Sequence, residues 1–156
     1  MEKIRNFFED LKNWGVFFQN LLLLAIRLFW GYGFFISGYQ KLVNIASTTS
    51  FFSSLGFPFP QFNAYLAGSI ECIGGLLLLV GLLSRLASLF LISVMVVAYL
   101  TAHFESVRNL FADPDTFFSQ APFLFLYAAL IVFCFGPGKI SLDALIERLF
   151  RKKISS

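Results

Sequence analysis

The sequence predicts an all-α fold, a bundle of four transmembrane helices with an amphipathic interfacial helix at each terminus. Three observations predict it. Hydrophobic residues make up 58% of the 156 and charged residues only 13%, against about 25% charged in ordinary soluble domains. The stretch Phe62–Leu83 is long enough to cross a hydrocarbon layer and holds a single carboxylate, Glu71. Short breaks, Ser84-Arg85 and Gly136-Pro137-Gly138 among them, divide the remaining apolar sequence into further candidate spans. A chain of this size folds as one unit, so residues 1–156 are read as a single membrane domain. The net charge of +3 is no nucleic-acid signature, because the basic residues sit at helix ends and form no stripe. Cys72 and Cys134 lack CxxC spacing and read as small buried apolar residues without dithiol chemistry.

Taken in order, residues 2–13 place Ile4, Phe7, Phe8 and Leu11 at helical spacing, with Lys3, Arg5, Glu9, Asp10 and Lys12 elsewhere. That pattern predicts a helix lying on the membrane surface. No A-x-A-like cleavage site follows it, so the segment is expected to be retained. The first span is expected over about 14–42, with Gly31, Gly33, Ser37 and Gly38 giving faces for close helix contact. The Ser/Thr-rich and then Phe-rich segment 43–61 contains Pro58 and Pro60, which break helices. Its phenylalanines are too apolar for a free aqueous loop, so it is expected to form a short helix or cap over the bundle mouth. The second span is expected over 62–83, the third over 86–103 and the fourth over 119–135. The tight Ser84-Arg85 connection makes the second and third antiparallel neighbours. Ser141 and Asp143 open a second interfacial helix over about 141–153, with Leu142, Leu145, Ile146, Leu149 and Phe150 on one face.

Basic residues orient the chain. Lys3, Arg5, Lys12, Arg85, Lys139, Arg148, Arg151, Lys152 and Lys153 fall on one side, and Lys41 and Arg108 on the other. By the positive-inside rule both termini are cytoplasmic.

Two polar clusters lie within the apolar chain. Arg27 is roughly 16–20 Å from the start of the first span, and Glu71 roughly 20 Å from Arg85. Their matching depths predict an intramembrane ion pair, since an isolated charge there costs about 2.5–3.5 kcal/mol. The pair is either a staple between helices or the wall of a polar site. Near the other face, Tyr39, Gln40 and Lys41 end the first span, and His103 and Glu105 end the third. These five residues are the candidate ligand-binding set, beneath the Phe-rich loops. Snorkelling of Lys41 and simple helix capping by His103 are the structural alternatives. One histidine beside one glutamate is too few ligands for a metal.

Arg27-Leu28, Gly31, Phe34, Gly38 and Lys41 resemble the first-helix pattern of the DoxX family. Glu71, Gly74-Gly75, Leu78, Gly81 and Arg85 resemble its second, and Gly136-Pro137-Gly138-Lys139-Ile140-Ser141-Leu142-Asp143 its GPG…SLD ending. The resemblance spans about residues 25–143. It implies a four-helix protein of the bacterial inner membrane, serving as a quinone-associated subunit of an oxidoreductase complex in oxidative or thiol stress or in thiosulfate oxidation. Quinone is the implied cofactor. With His103 the only histidine, neither haem nor metal is expected. The implied partners are the lipid bilayer, a soluble or membrane oxidoreductase and, in a homo-oligomer, further copies of the chain. The competing readings are a non-enzymatic membrane anchor or assembly partner, and a small-molecule carrier.

Overall fold

The computed structural model describes residues 2–154, with side chains from Ile4 to Arg151. Among the described residues there are eight α-helices and no strand. They are α1 (Glu2–Val43), α2 (Ile45–Ser54), α3 (Pro60–Val80), α4 (Ser84–Thr101), α5 (Phe104–Arg108), α6 (Pro114–Ser119), α7 (Ala121–Phe135) and α8 (Leu142–Ile154). The four longer inner helices form a closed ring in which α1 packs on α3, α3 on α4, α4 on α7 and α7 on α1. The core between them is Phe34, Leu78, Leu91, Met95, Ala129 and Val132. Outward-facing positions carry large apolar side chains, among them Phe29, Ile73 and Leu100. A surface of that kind is covered by lipid or protein in the cell, because water leaves so much apolar area unsolvated. By length and composition α1, α3 and α4 can each cross a membrane, whereas α7 has only 15 residues.

One boundary is corrected. The expected surface helix over 2–13 and first span over 14–42 are a single uninterrupted helix of 42 residues. No proline falls near Asn13-Trp14, and a single glycine, Gly15, does not stop the helix where the amphipathic pattern ends. At about 1.5 Å per residue α1 is roughly 63 Å long, twice the hydrocarbon thickness. Its first part, from Ile4 to about Gly15, stands clear of the bundle and is exposed. The side chains of Lys3, Lys152 and Lys153, counted in the charge asymmetry, lie outside the described residues.

The segment after α1 folds back as expected. α2 packs on α3, and Pro60 sits in the first turn of α3, where a missing N–H costs nothing. At the far side of the ring the Tyr99 hydroxyl donates to the Phe117 carbonyl at 3.0 Å, tying α4 to α6. Asp113 caps α6 by accepting from the backbone N–H and hydroxyl of Thr116, and these bonds hold its carboxyl below the ordinary value of 3.8. Cys72 is half-buried and Cys134 exposed, so the second is not the buried residue its composition suggests.

α1 and α3 run antiparallel with their backbones nearly touching. A Cβ on Gly38 would come 2.2 Å from the Cys72 nitrogen, and one on Gly75 would come 2.4 Å from the Phe35 nitrogen. Neither neighbour can yield, because both atoms are backbone. Gly33 instead faces Phe125 of α7, so its role is helix packing. Gly38→Ala should therefore force the pair apart and destabilise the protein by about 1–3 kcal/mol. Gly15→Ala, where nothing lies within 4 Å, should be neutral or stabilising by up to about 1 kcal/mol. Thermal melts of both variants in detergent check the contrast.

Candidate functional site

The antiparallel pairing that Gly38 and Gly75 permit sets Ser37 of α1 opposite Glu71 of α3. The Ser37 hydroxyl donates to Glu71 Oε2 at 2.8 Å. Lys41, one helical turn beyond Ser37, folds back so that its Nζ donates to the Ser37 hydroxyl at 2.7 Å and to Glu71 Oε2 at 2.5 Å. Serine thus passes one proton on and accepts another, and the three side chains form a closed polar triangle. Glu71 is buried, with 2% of its side chain exposed, while Lys41 retains 31%. An ammonium has three donors, and this triangle uses two of them.

The triangle forms part of the wall of an open-mouthed cavity of about 430 Å³ lined by α1, α2, α3, α4 and the start of α7. Its inner wall is apolar, with Phe34, Ile70, Met95 and Phe125. Phe51, Phe52, Leu55 and Phe57, from α2 and the turn after it, roof it over, and Asn63, Thr101 and His103 add polar groups. This is the anatomy of a small-molecule site, an apolar chamber with a few convergent polar atoms. The Phe-rich segment lies over the mouth because its rings pack on each other, Phe52 on Phe57 at 5.0 Å between centroids.

The expected Arg27–Glu71 pair is not formed. Arg27 is buried at the opposite end of α3, where it donates to four carbonyls. Nε reaches Leu78 at 2.9 Å and Nη2 Leu79 at 3.2 Å, while Nη1 reaches Pro137 at 2.7 Å and Ile140 at 2.8 Å. The depth estimate fails because α1 starts well outside the bundle, which leaves Arg27 level with the end of α3 and Glu71 roughly 11 Å farther in. The four carbonyls belong to the last turn of α3 and to the connection into α8, so Arg27 caps a helix C-terminus from a neighbouring helix. Asp143 does the converse for α4. It accepts from the Leu83 and Ser84 nitrogens and from the Ser84 hydroxyl, at 2.8–3.0 Å, while its own N–H donates to the Gly81 carbonyl at 2.9 Å. The acceptor bonds hold Leu83 in a left-handed conformation, φ 48°, that few side-chain-bearing residues adopt.

Of the five residues in the expected ligand-binding set, Lys41 and His103 line the cavity. Tyr39, Gln40 and Glu105 are exposed and do not line it. His103 lies just past the end of α4 and precedes α5, with its ring edge-on to Tyr99 at 6.1 Å. From the sequence Ser37 reads only as a small packing residue. Its position four residues before Lys41, on the same helix face, was the available sign of its role.

A DoxX family model matches residues 22–104. An uncharacterized protein of Haemophilus influenzae is 31% identical over 153 residues, covering 93% of this chain and 95% of that one. A protein of Bacillus subtilis named putative oxidoreductase CatD is 32% identical over 83 residues, 53% of this chain and 60% of that one. The inner membrane protein YphA of Escherichia coli is 29% identical over 124 residues, 79% of this chain and 89% of that one. No solved structure matches the chain.

Proposed function

The chain belongs to the DoxX family, and we propose that its cavity binds the headgroup of a quinone, making the protein a quinone-associated subunit of an inner-membrane oxidoreductase complex. The observation that carries this reading is an ion pair between the partly exposed Lys41 and the buried Glu71 in the wall of a mostly aromatic and aliphatic chamber. A quinone ring is flat and apolar with a carbonyl oxygen at each end. It suits aromatic walls, and the third donor of the Lys41 ammonium is the natural partner for one oxygen. His103, which lines the same chamber, is the proposed partner for the second. The names carried by the relatives from Bacillus subtilis and Escherichia coli support the oxidoreductase and inner-membrane parts of the reading. In the membrane, α6 and α7 together complete a fourth span, and both termini face the cytoplasm.

Trp30 offers a direct test. Its indole lies edge-on to Phe125 at 5.0 Å, and Phe125 lines the cavity. The only other tryptophan, Trp14, is exposed on the projecting part of α1. In a Trp14→Phe background, a water-soluble short-chain quinone should quench Trp30 fluorescence saturably. Adding Lys41→Met should weaken binding about 10-fold or more, the usual worth of a hydrogen bond from a charged donor. Linear quenching that is the same in both proteins would exclude the site.

A second reading rests on a different feature. The part of α1 over residues 4–15 is exposed, with Phe7, Phe8, Leu11 and Trp14 uncovered. An assembly partner seated on that helix would make the protein an anchor. Co-purification of a stoichiometric partner that is lost on deleting residues 2–13 would support it.

A further inference from the structure

At the end of the bundle opposite the cavity lies a second cleft, of about 790 Å³. One side is the stretch of α1 around Val16–Leu23, another is the start of α4, and a third is the first turns of α8. Four charged side chains line it, Arg85, Lys139, Asp143 and Glu147. The two acids are already compensated. Asp143 is occupied by the N–H groups and hydroxyl at the start of α4. Glu147 is paired with Arg151 at 2.9 Å.

The two cations are not. The Arg85 guanidinium lies over Gly136, 3.6 Å from where a Cβ would be, and among the described residues it donates to nothing. The Lys139 side chain is likewise without a partner there, although its backbone N–H is fixed by the Asn20 amide oxygen at 2.8 Å. The cleft therefore presents two uncompensated positive groups. Leu23, Leu86 and Phe135 give the same cleft apolar sides. Basic pockets between membrane helices, with apolar flanks, suit an anionic headgroup whose acyl chains lie along the protein.

We propose that this cleft binds a phosphate-bearing anion, with the Arg85 guanidinium and the Lys139 ammonium on its oxygens. Guanidinium is well matched to such a group because it can give two parallel N–H bonds to adjacent oxygens. Two sources have that chemistry, the headgroup of an anionic phospholipid and a free phosphate.

Native mass spectrometry of the detergent-solubilised protein, titrated with dioleoylphosphatidylglycerol, dioleoylphosphatidylcholine or inorganic phosphate, tests it. The expected result is preferential retention of the glycerol lipid over the choline lipid. The Arg85→Gln/Lys139→Gln variant should bind it roughly 30-fold more weakly, the effect of two membrane-surface cations. Arg108→Gln removes the same kind of charge at the other end of the bundle and should bind as the unaltered protein does. Inorganic phosphate retained with the same dependence on Arg85 and Lys139 would also support the site, and would assign it to a free anion. Equal phosphatidylglycerol affinity in the double variant, or an equal loss in Arg108→Gln, would overturn the proposal. Should the double variant fail to fold, Lys139→Gln alone gives the same reading, since that side chain supports no other group.

Discussion

Arg27→Leu should destabilise the protein by about 4 kcal/mol or more, the largest loss expected from any single side chain in the bundle. The guanidinium serves the carbonyls of Leu78, Leu79, Pro137 and Ile140 at once. Leucine fills much of the same space and leaves the Leu79, Pro137 and Ile140 carbonyls without this donor, while the Leu78 carbonyl keeps only the Gly81 N–H at 3.2 Å. An unsatisfied buried polar group costs about 1–3 kcal/mol, and partial access of water to the Pro137 and Ile140 carbonyls lowers the sum. The loss would also spread. Arg27 holds the connection into α8 against the end of α3, and Asp143, two residues beyond that connection, caps α4. With Arg27 gone, the α3–α4 turn loses the support that keeps Leu83 left-handed. Arg27→Lys should recover little, because one ammonium cannot span carbonyls that a planar fork of five N–H donors reaches from several sides. Thermal melts and size-exclusion profiles in detergent measure both variants. A melting temperature for Arg27→Leu within about 3 °C of the unaltered protein would refute the capping role.

Why this role escaped the sequence is a matter of depth. Helices themselves were legible, because each long apolar run has only one way to satisfy its backbone in lipid. That α2 would fold over the mouth also followed from Phe51, Phe52 and Phe57, which are too apolar to stand in water. The requirement that Glu71 find a cation was equally readable, since a lone carboxylate in that stretch is unstable. The identity of the cation was not. It depended on where α1 meets the membrane, and the unbroken helix from Glu2 through Val43 carries no boundary at that point. An error of a few turns in depth exchanges Arg27 for Lys41. Rotation about the axis is the other quantity that single-helix periodicity leaves open. It sends Tyr39 and Gln40 outward while Ser37 and Lys41 face Glu71, although all four lie within about one turn. The third unread element is capping in trans. Arg27 and Asp143 are 116 positions apart, and nothing local to either indicates that each completes a different helix end.

Lys41 and Glu71 should respond unequally to removal, and the inequality separates a staple from a binding site. Glu71 is enclosed, and with Lys41→Met it is left among apolar groups with only the Ser37 hydroxyl, so the substitution should cost about 3–5 kcal/mol. Lys41 is partly exposed. When Glu71→Gln removes the carboxylate, the long side chain can turn outward toward solvent or headgroups, and the glutamine can still accept from Ser37. That substitution should cost only about 1–2 kcal/mol. The double variant Lys41→Met/Glu71→Gln should therefore be more stable than Lys41→Met alone, because it removes the stranded charge. Binding should follow the other partner. If the Lys41 ammonium is the group a quinone oxygen meets, Glu71→Gln keeps saturable quenching of Trp30 while Lys41→Met loses it, at temperatures where both proteins remain folded. A double variant no more stable than Lys41→Met would mean that the two side chains do not stabilise each other. Retained quenching in Lys41→Met would make the triangle a staple and leave the aromatic walls to account for binding by themselves.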